Sequence, residues 1–253
     1  MPLLGKLRQS VIGREPLVFA AILAICLGVW VVAKLSSEIR EGESLSFDAN
    51  ILKALRQSDD PHRLRGPAWV ESMVRDVTAL GGVIVLLLVV GAVCGFLILI
   101  DHKHMMWLVL ASTLGAVAIN STLKHVIDRP RPSVVPKLTD VRSESFPSGH
   151  SAMSAAVYLT LGGLLAQTVK QRRLKLYFMS VALLLAFLVG ASRVALGVHY
   201  PSDVLAGWST GLAWSLLCWL VARYLQRRGA IEQEEEGPPA ATTTATTAES
   251  DTL

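Results

Sequence analysis

Six apolar stretches, at about 17–35, 78–100, 105–123, 151–169, 174–192 and 204–222, constrain this chain more than any other feature. Each is close to the roughly 20 residues that cross the hydrocarbon core of a bilayer as a helix. Hydrophobic residues make up 52% of the chain and charged residues only 17%, and the mean hydropathy is +0.47. A backbone in lipid must satisfy its own hydrogen bonds, so the expected architecture is all-α: an integral membrane bundle of six transmembrane helices. Lys6, Arg8 and Arg14 precede the first stretch in the manner of a secretion signal. Five further spans follow, so an uncleaved anchor is expected. Cys26, Cys94 and Cys218 all fall within spans and form neither a disulfide framework nor a metal spacing.

Loop charge sets the expected orientation. With the N-terminus in the cytoplasm, the cytoplasmic segments collect Lys6, Arg8, Arg14, Lys103, Lys170, Arg172, Arg173, Lys175, Arg223, Arg227 and Arg228. The net charge of +4 is then a signature of topology and not of nucleic acid binding. The expected organisation is a cytoplasmic N-terminus (1–16), a six-helix membrane domain (17–229) and a disordered, acidic then Thr-rich cytoplasmic tail (230–253). Within the long extracytoplasmic loop (36–77), Phe47, Ile51, Leu52 and Leu55 fall at helical spacing. They define an amphipathic helix, read either as lying at the membrane interface or as a connector packed on the bundle.

Alternating span directions bring the end of span three, the start of span four and the junction of spans five and six to one face. These are KHVIDRPRP (124–132), FPSGH (146–150) and SRVALGVHYPSD (192–203). Lys124, Arg131, Arg193, His150, His199 and Asp203 converge there, with Arg129 and Ser148 beside them. Ionisable groups near membrane depth face a polar cavity or one another, and three cations with two histidines on one face imply an anion. Ser148 and Gly149 open a helix, where free amides and the positive dipole end attract phosphate. Singly, each residue also has a plain structural reading: Lys124 and Arg193 as snorkelling cations, Arg129 and Arg131 as caps of a Pro-rich loop, Asp203 and Ser148 as helix caps.

The joint pattern resembles the signature of the type-2 phosphatidic acid phosphatases, relatives of the vanadium haloperoxidases and bacterial class A acid phosphatases. It consists of Lys124, six residues, then Arg131-Pro132; Pro147-Ser148-Gly149-His150; and Ser192-Arg193, five residues, His199, three residues, Asp203. The resemblance implies a lipid phosphate phosphatase, with no metal and no cofactor. His199 is the implied nucleophile, forming a phosphohistidine, and Asp203 the residue that orients it. His150 is the implied acid and then base, and Lys124, Arg131, Ser148, Gly149 and Arg193 bind the phosphate. The expected partners are the bilayer and a lipid phosphate: undecaprenyl diphosphate, phosphatidic acid, phosphatidylglycerol phosphate or diacylglycerol diphosphate. The expected location is a bacterial inner membrane with an outward-facing active site at the helix ends. A phosphotransferase of the same fold and a non-catalytic lipid-binding or transport protein are the competing readings.

Overall fold

A computed structural model describes residues 16–41, 46–141 and 143–227; the expected tail at 230–253 and most of the N-terminal segment lie outside them. The described chain forms eight helices: α1 (Pro16–Arg40), α2 (Ser46–Ala54), α3 (Trp69–Ala79), α4 (Val83–Leu99), α5 (Lys103–Ile127), α6 (Gly149–Thr168), α7 (Arg172–Ala195) and α8 (Pro201–Arg227). Among the described residues there is no strand, only an isolated bridge between Arg56 and Leu64.

By length and composition, α1, α5, α7 and α8 are apolar enough to cross a membrane, and the bent pair α3–α4 makes a fifth candidate. Large apolar side chains line their outer faces, among them Leu23, Leu27, Ile84, Leu88, Phe96 and Phe187. Such a belt suits lipid and not water. The stretch expected as a span from 78 to 100 is chiefly α4, which meets α3, formed mostly by residues expected in the preceding loop, at 45° around Leu80–Gly82. The apolar run begins at this break, since α3 carries Glu71, Arg75 and Asp76, and the Gly81-Gly82 pair lowers the cost of leaving helical geometry.

Helix α6 sits at the centre, packed on α5, α7 and α8. Its buried face is built from small and polar residues, including Ser151, Ala152, Ser154, Ala155 and Ala156. A helix enclosed by other helices needs no lipid-facing apolar surface, so small and polar residues can line it. Helix α8 approaches it through Gly207 and Gly211, one turn apart. A Cβ at Gly207 would lie 2.7 Å from the Ser148 carbonyl oxygen, and one at Gly211 would lie 2.3 Å from that of Ala152. Only glycine permits backbones to come this near.

Helix α2 is docked on the bundle, as in the packed-connector reading. Leu52 is buried with Val135, Val194 and Val204, and Ile51 and Leu55 pack at the edge, leaving Phe47 outward. Just beyond α2, buried Arg56 donates to the carbonyls of Ala195 (2.7 Å) and Pro136 (3.1 Å). It thereby satisfies a carbonyl that the C-terminus of α7 leaves open. Gly197 follows in the left-handed region at φ +72°, and a Cβ there would stand 2.5 Å from the Arg56 guanidinium. Both backbone and space require glycine at this position.

Candidate active site

The site lies where α5 ends, α6 begins, and α7 turns into α8. Helix α5 stops because Asp128 takes a left-handed conformation (φ 47°) with its N–H bonded back to the Lys124 carbonyl. The following Arg129-Pro130-Arg131-Pro132 cannot continue a helix. This turn sends two arginines across the bundle end. Helix α6 is opened by Ser148, whose hydroxyl accepts from the Ser151 N–H at 3.4 Å and from the Ser151 hydroxyl at 2.9 Å. Helix α8 begins on Pro201, which fits the first helical position because its missing N–H would have no partner there. Asp203, two residues on, accepts from the Tyr200 N–H at 2.9 Å in a reciprocal capping arrangement. Its structural reading as a cap is thus realised alongside its place in the site.

Asp203 and His199 are 0% and 2% exposed. His199 Nδ1 lies 3.5 Å from Asp203 Oδ2, within ion-pair range but not aligned as a closed hydrogen bond. The carboxylate also accepts from Arg129 Nη1 at 2.5 Å and from the Ser145 hydroxyl at 2.5 Å. On the other side of the ring, Arg131 Nη1 sits 3.3 Å from His199 Nε2 and 2.7 Å from the Val198 carbonyl oxygen. A guanidinium can only donate, so this contact leaves the lone pair on Nε2 and the proton on Nδ1, facing Asp203. Burial pushes His199 down to about 4, against the upward pull of Asp203 and with the help of Arg131 and Arg193. Burial outweighs the pull of Asp203, so the imidazole is neutral at pH 7.

The remaining cations converge on the same point. Arg131 Nε donates to the Ser143 carbonyl at 2.6 Å, Lys124 Nζ to the Glu144 carbonyl, and Arg193 Nη1 to the Thr78 hydroxyl at 3.0 Å. Among the described residues none of the three has a carboxylate within ion-pair distance, and the buried Nε of Arg193 has no partner. Burial holds Arg131 below its usual pKa, with Asp203 and Glu144 opposing. Three cations held on neutral acceptors at one helix end are suited to receive an anion. His150, in the first turn of α6, lies within the field of Arg193, His199, Arg131 and Lys124. The Ser148 N–H is committed to the Asp203 carbonyl at 3.0 Å, so of the turn it is Gly149 whose side is open, with Asn120 beside it.

All nine residues singled out in the sequence, Gly149 included, therefore belong to one end of the bundle. Several others there carried no sequence signal of their own. Asp48 accepts from Arg129 (3.0 Å) and from the Ser202 N–H (2.9 Å) and hydroxyl (2.5 Å). Ser145 and Thr78 hold Asp203 and Arg193, and buried Asn120 has an unpartnered Oδ1 one turn before Lys124. Arg129, read as a cap of the Pro-rich loop, instead bridges two carboxylates and stacks on the Tyr200 ring at 4.2 Å. Among the described residues no group of three metal-ligating side chains occurs.

A model of the PAP2 superfamily matches residues 105–227. Phosphatidylglycerophosphatase B of Bacillus subtilis is 35% identical over 149 residues, which cover 57% of this chain and 71% of that protein. A lipid A 1-phosphatase of Rhizobium johnstonii is 36% identical over 108 residues, or 39% of this chain and 40% of its own length. The crystal structure of a transmembrane PAP2 type phosphatidylglycerolphosphate phosphatase from Bacillus subtilis aligns with a TM-score of 0.72 at 28% identity. That alignment covers 80% of this chain and 98% of the other. LpxE of Aquifex aeolicus shares the fold, with a TM-score of 0.54 at 22% identity over 72% of this chain and 98% of its own. The chain belongs to the PAP2 superfamily, among its membrane phosphatases.

Proposed function

We propose that the protein hydrolyses a lipid phosphate through a phosphohistidine on His199, without a metal ion. The observation that carries this reading is the two-sided setting of His199, with Nδ1 toward Asp203 and Nε2 against the Arg131 guanidinium. Nε2 attacks phosphorus as the bond to the leaving oxygen breaks, and His150 gives that oxygen its proton. The imidazole becomes a phosphorylated cation, held by Asp203 through Nδ1–H. His150 then takes a proton from water, whose oxygen attacks phosphorus, and the phosphorus–nitrogen bond breaks to restore neutral His199. Lys124, Arg131, Arg193, Ser148 and the Gly149 amide stabilise the phosphoryl oxygens. Those cations supply the neutralisation that a divalent metal would otherwise provide. Asp203 and Asp48, meanwhile, are already paired with Arg129.

Counting α3–α4 as one span and including α6 gives six spans, with α2, the PSGH turn and the α7–α8 junction on the extracytoplasmic side by loop charge. A site at the helix ends suits a substrate whose phosphate enters sideways while its tail stays in lipid. The Bacillus subtilis relatives named above make phosphatidylglycerol phosphate the first substrate to test, beside phosphatidic acid and undecaprenyl diphosphate. Phosphate release by the detergent-solubilised protein on that panel, beside His199→Ala, is the test. Wild-type release abolished in the variant supports the assignment; release that survives His199→Ala, or none from any lipid, overturns it. A reporter fused in the 170–175 loop and found outside the cell would overturn the orientation.

A further inference from the structure

We propose that Asp48, on helix α2 and outside all three signature segments, is a positioning residue that sets the charge of the His199–Asp203 pair through Arg129. The inference rests on the reading of His199 as nucleophile. Arg129 lies between two buried carboxylates, with Nη1 2.5 Å from Asp203 Oδ1 and Nη2 3.0 Å from Asp48 Oδ2. Its side chain is 10% exposed, and those of Asp48 and Asp203 are 2% and 0% exposed. Solvent therefore screens this group little, and its net charge acts on what lies beside it.

The charges add simply. Asp203 with Arg129 alone is neutral, and a neutral pair offers little to an imidazole that gains positive charge on phosphorylation. Adding Asp48 returns the group to a net single negative charge beside His199. Asp48 also fixes the start of α8, because its two oxygens hold the N–H and hydroxyl of Ser202 next to Asp203. One carboxylate thus governs both the charge and the placement of the orienting residue. Lys124, Arg131, Arg193 and His150 also stand within the field of His199 or Asp203, and all four are unchanged in the variants below, so the comparison isolates Asp48 and Arg129.

The experiment measures kcat and KM for lipid phosphate hydrolysis in full-length Asp48→Asn, Arg129→Gln and the double variant, beside His199→Ala. Removing the Asp48 charge leaves Arg129 to neutralise Asp203, and kcat is expected to fall about tenfold to a hundredfold with KM changed less than threefold. The double variant removes both charges, returns a single negative charge to Asp203, and recovers kcat at least tenfold over Asp48→Asn. A purely structural tether predicts the reverse, since the double variant has lost both of its ends. Unchanged kcat in Asp48→Asn, or a double variant no better than the single, overturns the proposal. If Asp48→Asn is not recovered folded, Arg129→Lys decides. It keeps one positive charge between the two carboxylates without the guanidinium fork, so kcat within about fivefold of wild type supports the charge account. A deeper loss refutes it. Activity surviving in His199→Ala would refute the nucleophile assignment itself, a different outcome from any of these.

Discussion

Replacing Asp203 by asparagine tests the electrostatic core of the site with little change of shape. At the 3.5 Å separating His199 Nδ1 from Asp203 Oδ2, two unit charges at an effective dielectric of about 20 attract by about 5 kcal/mol. With about half a unit of charge on the imidazole when the phosphorus–nitrogen bond is half formed, roughly 2–2.5 kcal/mol of transition-state stabilisation is lost, a factor of about 50 in kcat. Asparagine can also turn its amide N–H toward Nδ1, favouring the tautomer whose proton sits on the attacking nitrogen, so the whole effect is expected at about 10²–10⁴. The fold is expected to persist, because Arg129 keeps its partner Asp48 at 3.0 Å and no lone buried cation is created. The assay is steady-state phosphate release from detergent-solubilised protein, with the thermal midpoint measured on the same preparation. A folded Asp203→Asn whose kcat stays within about threefold of wild type would refute the reasoning, since no developing charge on His199 would then depend on this carboxylate.

Three further outcomes are expected. Gly211→Ala puts a methyl 2.3 Å from the Ala152 carbonyl, forcing α8 from α6; a loss of about 1–3 kcal/mol in stability, read as a lowered thermal midpoint, is expected, and an unchanged midpoint would refute the contact. His199 is held down to about 4 by burial, so it binds its proton more weakly folded than unfolded. Its contribution to stability is then full above about pH 6.5, is lost as pH falls from there toward 4 and is gone below it. Denaturation midpoints that rise with pH across that window in wild type, and less so in a folded His199→Gln, would show it. Activity is expected to survive chelator and to be inhibited by vanadate, which adopts a trigonal-bipyramidal geometry like the transition state; a strict requirement for added magnesium would exclude the metal-independent scheme.

What the sequence disclosed was what periodicity and spacing encode. Runs of Leu, Val and Ile marked the bilayer-length helices, and the order of Lys124, Arg131, His150, Arg193, His199 and Asp203 was legible because span parity brings those positions to one end. Helix α3 was hidden because its Glu71, Arg75 and Asp76 read as loop, so hydropathy marks α4 alone and carries no trace of the 45° bend between them. Asp48 was hidden for a different reason. An acidic residue in the first turn of a short amphipathic helix has an ordinary explanation in the helix dipole, and only tertiary packing sets it against Arg129. Ser145 and Thr78 were equally silent, since a lone hydroxyl in a loop or helix has no pattern to betray its partner.

The bond from the Ser148 N–H to the Asp203 carbonyl bears on how the enzyme comes into being. The start of α6 is tied to the start of α8, the last of the described helices, and the Asp203 carboxylate belongs to α8 itself. A nascent chain that has threaded everything through α7 into the membrane already carries Lys124, Arg131, His150 and Arg193, yet it has no Asp203 beside His199. On the proposed mechanism, competence to hydrolyse waits for α8 to insert, and a chain truncated before Pro201 is expected to be inert in the bilayer.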